Sequence, residues 1–374
     1  MKLPNESRLF EIARGFAVEG RILSVVPYGN GHIHQTFRVD TTEKAYILQR
    51  VNPTLFPEPE KLMVSIVGVC EHLRRKVLAR GGDPLRETLT PLPSRTGGWL
   101  IRDPEASWRV FRFIEDSVCF ETTDNPELFR KAGEALGRFT ADLSDYDPGR
   151  LYVNFPGFHD TPARFRQFLE AMEKGNKERV DRARAEIGFA FDNEDLAHGL
   201  AEDLRKGILP LRIVHNDTKL NNVLFDPSSG RALAVIDFDT IIPGTPCHDF
   251  GDAIRFGCNL AGEDEPDLTK VRFSIDLFRG FARGYLRGSR GFLTAAERLR
   301  LVSGALTITY ENGLRFLADH LVGDRYYRIE RLGQNLDRCR TQFQMLEAMK
   351  TLKTQLETIV EDEYQKIISL ENGG

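Results

Sequence analysis

The stretch Val214–Asp226, VHNDTKLNNVLFD, sets His215, Asn216, Asp217, Lys219, Asn221 and Asn222 between two apolar runs. A surface turn accepts polar residues in any arrangement. This run is bounded by LRIV before it and VLF after it, which makes it a loop that dips into the body of the protein. Polar groups near a core are costly unless they are partnered. One imidazole, one carboxylate, one ammonium and three amides in such a place call for a function.

Twenty residues beyond Asp217 the sequence reads ALAVIDFDT, an apolar run that ends in Asp237 and is followed by Asp239. The spacing predicts a hairpin, with NVLF and LAVI as its strands and DPSSGR as its turn. Asp237 then emerges at a strand end near Asn222. Phosphoryl transfer needs such a set: a carboxylate that orients the attacking hydroxyl and accepts its proton, and an amide and a second carboxylate that hold magnesium on the phosphates. Asp217 takes the first role, Asn222 and Asp237 the second. Magnesium prefers hard oxygen ligands and keeps several waters, so Asn plus Asp suffices. Lys219 is placed to neutralise charge on the transferring group. The pattern H-x-D-x-x-x-x-N is that of the kinase catalytic loop. The competing reading is an Asn/Asp-rich turn that bonds its own backbone. The literal triplet Asp249-Phe250-Gly251 follows PGTPCH rather than a strand and opens a helical pattern. Asp249 therefore reads as a helix N-cap, and Asp237 as the metal residue. Asp239 is open between a supporting role and contact with a second metal.

Upstream, PYGNGHIHQTF joins two strand-like runs, RILSVVPY and HIHQTFRV. Gly29 and Gly31 would let backbone N–H groups approach phosphate, although two glycines between strands also make an ordinary hairpin turn. Protein kinases then carry a strand lysine paired to a helix glutamate. Here YILQRV offers Gln49, which could only hydrogen-bond phosphate, and Arg50 on the opposite face. The following helix, EKLMVSIVGVCEHLRRK, has no glutamate in a suitable place before Glu71, so the usual ion pair is missing. That leaves a pseudokinase or a kinase that handles phosphate charge otherwise, and the intact His215–Asp217–Asn222–Asp237 set favours the second.

The chain has 374 residues and a net charge of −4, without the basic stripe of a nucleic-acid surface. No apolar run reaches the ~20 residues that span a bilayer. MKLPNESRLFEIARGF reads as a capped amphipathic helix rather than a signal peptide. The five cysteines are scattered without C-x-x-C spacing, as expected for reduced thiols in a cytoplasmic protein. Short strand-like runs dominate to about residue 115, with SWRVFRFIE as a central strand. After Glu115 helical spacing takes over, beginning with NPELFRKAGEALGRFTADL, and a stripe from Leu336 to Ile359 predicts a core-packed terminal helix. The expected class is α+β: a small antiparallel-sheet N-lobe over 1–115 and a larger, mostly helical C-lobe over 116–374.

At this level the chain resembles the aminoglycoside phosphotransferase/choline kinase group, which shares the protein-kinase-like fold. Within it the closer likeness is to the bacterial N-acetylhexosamine 1-kinases. The matching runs are PYGNGHIHQTF, YILQRVN, WRVFRFIE, FHDTPARF, PLRIVHNDTKLNNVLFD, IDFDTIIPG, DFGDAIRFG and LRFLADHLVGDRYY. The resemblance implies ATP and Mg²⁺ as cofactors. It also implies transfer of the γ-phosphoryl group to the anomeric hydroxyl of N-acetylglucosamine or N-acetylgalactosamine, with no nucleic-acid or membrane partner. Asp217 falls at the base position, and Asn222 and Asp237 at the metal positions. His32, Phe256, Arg315 and Tyr326 fall where that group contacts the sugar, and adenine is expected against Ile114 and Glu115. Each sugar residue has a plainer reading: Arg315 pairing with Asp319 one turn on, Phe256 in a core, His32 capping a turn. The remaining alternatives are another acceptor, such as a different sugar, an amino alcohol or an aminoglycoside, or nucleotide binding without turnover. A cationic acceptor asks for acidic groups or an aromatic cage, and the nearest acidic run, VEDEY, lies on the outer face of a helical pattern.

Overall fold

The computed structural model describes residues 4–29, 33–289 and 291–372. In chain order its elements begin with α1 (Glu6–Arg14), β1 (Ile22–Pro27), β2 (Gln35–Thr41), β3 (Ala45–Val51), α2 (Pro59–Ala79), α3 (Pro84–Glu87), β4 (Pro91–Leu92), β5 (Ile101–Arg102) and β6 (Ser107–Arg112). They continue with α4 (Pro126–Asp142), α5 (Thr161–Lys174), α6 (Lys177–Arg182), α7 (Arg184–Asp192), α8 (Asp195–Arg205), β7 (Arg212–Val214), β8 (Val223–Phe225) and β9 (Ala232–Val235). The last helices are α9 (Pro246–Gly257), α10 (Ile275–Ser289), α11 (Ala295–Leu321), α12 (Gln334–Thr351) and α13 (Lys353–Asn372). Two compact units emerge. The first holds the chain up to Val118 together with Asp145–Asn154 and Leu224–Ile242; the second holds the rest. The first long segment ends at Val118, and the two shorter segments rejoin the first unit from further along the chain.

In the first unit the strands form an antiparallel sheet in the order β1-β2-β3-β6-β4, with β5 on β6. The period of two decides its faces. Phe37, Leu48 and Val110 join Leu9, Ile12, Ala13 and Phe16 in one core. The other face carries Thr36, Gln49 and Arg109, which stand directly opposite one another across β2, β3 and β6. Helix α1 is capped as its sequence predicts: Asn5 accepts the Arg8 N–H at 2.9 Å. The β8–β9 hairpin also forms, closed by Asp226 N–H to the Arg231 carbonyl at 2.8 Å, with Asp226 Oδ1 accepting the N–H groups of Ser228 and Ser229.

The second unit is mostly helical. Helices α4 and α10 touch backbone to backbone because glycines face each other: a Cβ on Gly284 would lie 1.9 Å from the Arg130 carbonyl oxygen, and one on Gly137 2.2 Å from that of Tyr285. The terminal stripe is buried at Leu336, Phe343, Leu346, Met349, Leu356 and Ile359. It runs over two helices rather than one, α12 closing at Leu352. All five cysteines are free. No helix among the described residues is long and apolar enough to cross a membrane.

Candidate active site

Strand β7 delivers the chain into the loop at His215, and helix α9 holds that loop. Asp249, 1% exposed, accepts the backbone N–H groups of His215 at 2.8 Å and Asn216 at 2.7 Å. Its own carbonyl accepts from Thr218 Oγ1 at 2.5 Å. Asp252 accepts the Thr218 N–H at 3.1 Å and is itself gripped by Arg255. Asn216 sits in the left-handed region at φ 66°, which Asn tolerates better than most residues. The cap expected of Asp249 is therefore corrected: α9 opens at Pro246 with Thr245 as N-cap, because proline suits the first helical position. Asp249 lies inside the helix, and its carboxylate serves the loop.

Within the loop, Asp217, Lys219 and Asn222 come together. Lys219 Nζ is 2.9 Å from Asp217 Oδ1. Asn222 Nδ2 donates to the Asp217 carbonyl at 2.8 Å and to Asp217 Oδ2 at 3.1 Å. Burial pushes the Asp217 carboxyl up, but the Lys219 ammonium, His215 and the Asn222 amide outweigh it and hold the acid below its ordinary range. Lys219 is raised in turn, chiefly by Asp217. With its amide nitrogen spent on Asp217, Asn222 is left with Oδ1 as the atom to offer a cation.

Behind the loop lies a buried group that the sequence reading passed over. His159 Nδ1 is 2.8 Å from Glu311 Oε1, and Thr161 Oγ1 donates to Glu311 Oε2 at 2.7 Å. His159 Nε2 lies 3.4 Å from the Asn216 carbonyl oxygen, and His248 packs on the His159 ring. Desolvation, helped by His159, drives the His248 imidazole down to about 3. Burial works to raise Glu311, but His159 and Arg315 overcome it and bring the carboxyl down to about 2. Both shifts have the same sign for stability. The unfolded chain takes up a proton at His248 near pH 6.5 that the native state refuses until about pH 3, so stability present above 6.5 is lost as the pH falls through that window. Glu311 adds to the loss below its ordinary 4.5. The free energy of unfolding, measured in urea from pH 7 to 4.5, is expected to fall by about 2–3 kcal/mol from His248 alone. His248→Leu should flatten that slope, and an unchanged slope would assign the acid lability elsewhere.

Arg315 stands on α11 one turn beyond Glu311. Its plainer reading, a pair with Asp319, does not form. The Asp319 carboxylate is taken by the backbone N–H groups of Arg325 and Tyr326 at 2.8 Å and Tyr327 at 2.9 Å, and by Asn335. Arg315 instead lies 5.7 Å from the Tyr327 ring centre. A cleft of about 360 Å³ between α5 and α11 is lined by Arg315 and Tyr326 together with Arg164, Gln167, Lys174 and Tyr327. Phe256, half-buried at the end of α9 beside Arg255, is not part of that lining.

The first unit holds the other candidates. Asp237 is exposed and left-handed, at φ 66° and ψ 71°, and begins the 3₁₀ turn Phe238–Thr240. Asp239 is buried and bound on both oxygens by Arg109. Gln49 accepts from Arg109 Nε at 2.9 Å and donates to Thr36 Oγ1 at 3.3 Å, so both ends of its amide have partners within the sheet. The Ile114 carbonyl accepts from Ser117 Oγ at 2.6 Å, and that of Glu115 from Arg86 at 3.4 Å. Gly29 has φ 73° with open space around its Cβ position, as a loop that approaches a ligand by its backbone requires. Gly31 and His32 lie outside the described residues. The ion pair is not along α2 but at Arg109, and its signal in the sequence is an arginine in the middle of the central strand WRVFRF, where a buried charge must have a partner.

No cluster of three His, Cys, Asp or Glu among the described residues forms a ready metal site. Asn222 Oδ1 and the Asp237 carboxylate are each hard oxygen donors of the kind that magnesium prefers.

Residues 24–299 match the phosphotransferase enzyme family, APH. The chain belongs to that family and is a phosphotransferase. Its fold is similar to that of the microcompartment-associated aminopropanol kinase, with 18% identity, TM-score 0.60, and coverage of 94% of this chain and 98% of that one. Spectinomycin phosphotransferase, solved with ADP and spectinomycin, is 12% identical with TM-score 0.58, covering 93% and 99%. Choline kinase from Cryptosporidium parvum is 15% identical with TM-score 0.56, covering 97% and 99%.

Proposed function

We propose that the chain is an ATP-dependent kinase that phosphorylates the anomeric hydroxyl of an N-acetylhexosamine, N-acetylglucosamine or N-acetylgalactosamine, to give the sugar 1-phosphate. Asp217, ionised beside Lys219, orients the acceptor hydroxyl and takes its proton as the new bond forms. Asn222 and Asp237 would hold magnesium, which when bound would neutralise charge on the nucleotide phosphates. Lys219 offsets charge on the transferring group.

The observation that carries the acceptor assignment is the lining of the α5–α11 cleft. Three cations reach it, Arg164, Lys174 and Arg315. Of its two carboxylates, Asp319 is spent on backbone N–H groups and Glu170 faces Lys174 at 3.2 Å. A positively charged acceptor would find no carboxylate to pair with, whereas the hydroxyls and acetamide of a neutral sugar suit an arginine fork and a tyrosine. The second reading is an amino-alcohol or aminoglycoside acceptor, favoured by the names of the aminopropanol, spectinomycin and choline kinases.

ADP release with magnesium in the presence of each N-acetylhexosamine, choline, aminopropanol and spectinomycin separates the readings. The sugars are expected to be phosphorylated fastest, with an anomeric phosphate in the phosphorus NMR spectrum. Faster turnover of a cationic acceptor would reassign the substrate, and no ADP with any acceptor would leave a nucleotide-binding protein. Lysine cannot reproduce the planar guanidinium fork. Arg315→Lys should therefore lower kcat/KM for the sugar roughly ten- to a hundred-fold, while KM for ATP stays fixed. Unchanged sugar kinetics would make Arg315 structural.

A further inference from the structure

Inside the first unit, Arg109 sits at the centre of a hydrogen-bonded set that joins four pieces of chain. Its Nη1 and Nη2 meet Asp239 Oδ1 at 2.5 Å and Oδ2 at 2.7 Å. Its Nε donates to Gln49 on β3 at 2.9 Å. His34, just before β2, accepts the Asn52 N–H at Nδ1, so its proton is on Nε2, which donates to Asp239 Oδ2 at 2.8 Å. The side chains of Arg109 and Asp239 are 3% and 5% exposed. A pair so deeply buried contributes little net stability over an apolar pair of the same volume, so its retention asks for another reason.

The reason lies two residues away. Asp237 has a left-handed backbone, which Asp adopts more readily than most residues with a Cβ but still at a cost that its surroundings must offset. Asp239, the middle residue of the 3₁₀ turn Phe238–Thr240 that Asp237 caps, ties that turn to β6 through Arg109. We infer that Arg109 is a positioning residue for the metal turn: acting through Asp239, it holds the backbone of Asp237 in the left-handed conformation that presents its carboxylate to Mg²⁺. The inference rests on the reading of Asp237 as a metal ligand. It supplies the use of the buried cation in a chain that has glutamine at the strand-lysine position. The guanidinium hydrogen-bonds Asp239 and Gln49 and also feels the Asp237 charge across space, so Asp239→Asn, which keeps the cation, separates the effect of geometry from that of charge.

The test is a magnesium titration of fluorescent ADP binding to the full chain, with thermal unfolding measured in parallel. Asp237→Ala serves as the reference for a lost metal ligand. Arg109→Lys and Asp239→Asn are each expected to raise the half-saturating Mg²⁺ concentration by roughly 10–100-fold, as for other groups that orient a metal ligand. Magnesium-free ADP binding should stay within about two-fold of wild type if only the metal turn is disturbed. The double variant Arg109→Met/Asp239→Leu replaces the pair by apolar groups, keeps the fold, and should show the same loss. A folded double variant with wild-type magnesium dependence, or variants that lower the melting temperature alone, would overturn the inference while leaving Asp237 as a ligand. An Asp237→Ala variant with unchanged magnesium dependence would instead overturn the reading of Asp237, and the inference with it.

Discussion

Asp217→Asn is expected to lower kcat by ~10²–10⁴-fold, the usual contribution of a positioned general base. The substitution keeps the shape of the side chain, and the loop around it is held from elsewhere, by Asp249 and Asp252. Nucleotide affinity and melting temperature should therefore change little. The asparagine can still accept one hydrogen bond from Lys219 or from Asn222 Nδ2, both of which bond the carboxylate in the wild type. What it cannot do is take a proton. Steady-state kinetics with saturating ATP and acceptor decide the matter, and a variant that turns over at the wild-type rate would remove Asp217 from the chemistry.

Asp249→Ala is expected to be the most damaging change outside the reacting groups. As a simple helix cap Asp249 would contribute about 1 kcal/mol. Its two oxygens instead satisfy two backbone N–H groups in the interior, and each orphaned donor costs about 1–3 kcal/mol. The variant should lose about 2–5 kcal/mol in urea unfolding and most of its activity, because the freed N–H groups belong to the residues immediately before Asp217. Asp249→Asn keeps one acceptor and should fall between the two. A loss no larger than that of a cap would mean that water replaces the carboxylate.

Much of the site was legible because it is local. His215, Asp217, Lys219 and Asn222 lie within eight residues, and the spacing of polar groups inside an apolar frame is enough to place them on one loop. The hairpin that follows is fixed by two short apolar runs and the turn between them, again a matter of neighbours. Asp249 shows where this stops. Its sequence context permits a helix start, and a carboxylate near a helix start is most simply a cap. That the helix begins three residues earlier, and that the carboxylate then reaches a loop 33 and 34 positions away, follows from packing that no local pattern records.

The sequence by itself determined the fold class, the hairpin after the His215–Asn222 loop and the family, since hydrophobic period, turn chemistry and motif spacing act over a few residues. The tertiary structure alone decided the partners of the buried charges. Arg109 finds Asp239 across 130 positions, and His159 finds Glu311 across 152. Asp319 turns from the arginine one helical turn away to three backbone N–H groups of the loop that follows. A buried charge takes whichever partner best satisfies it once water is gone, and that choice is made among groups that only the folded chain brings within reach.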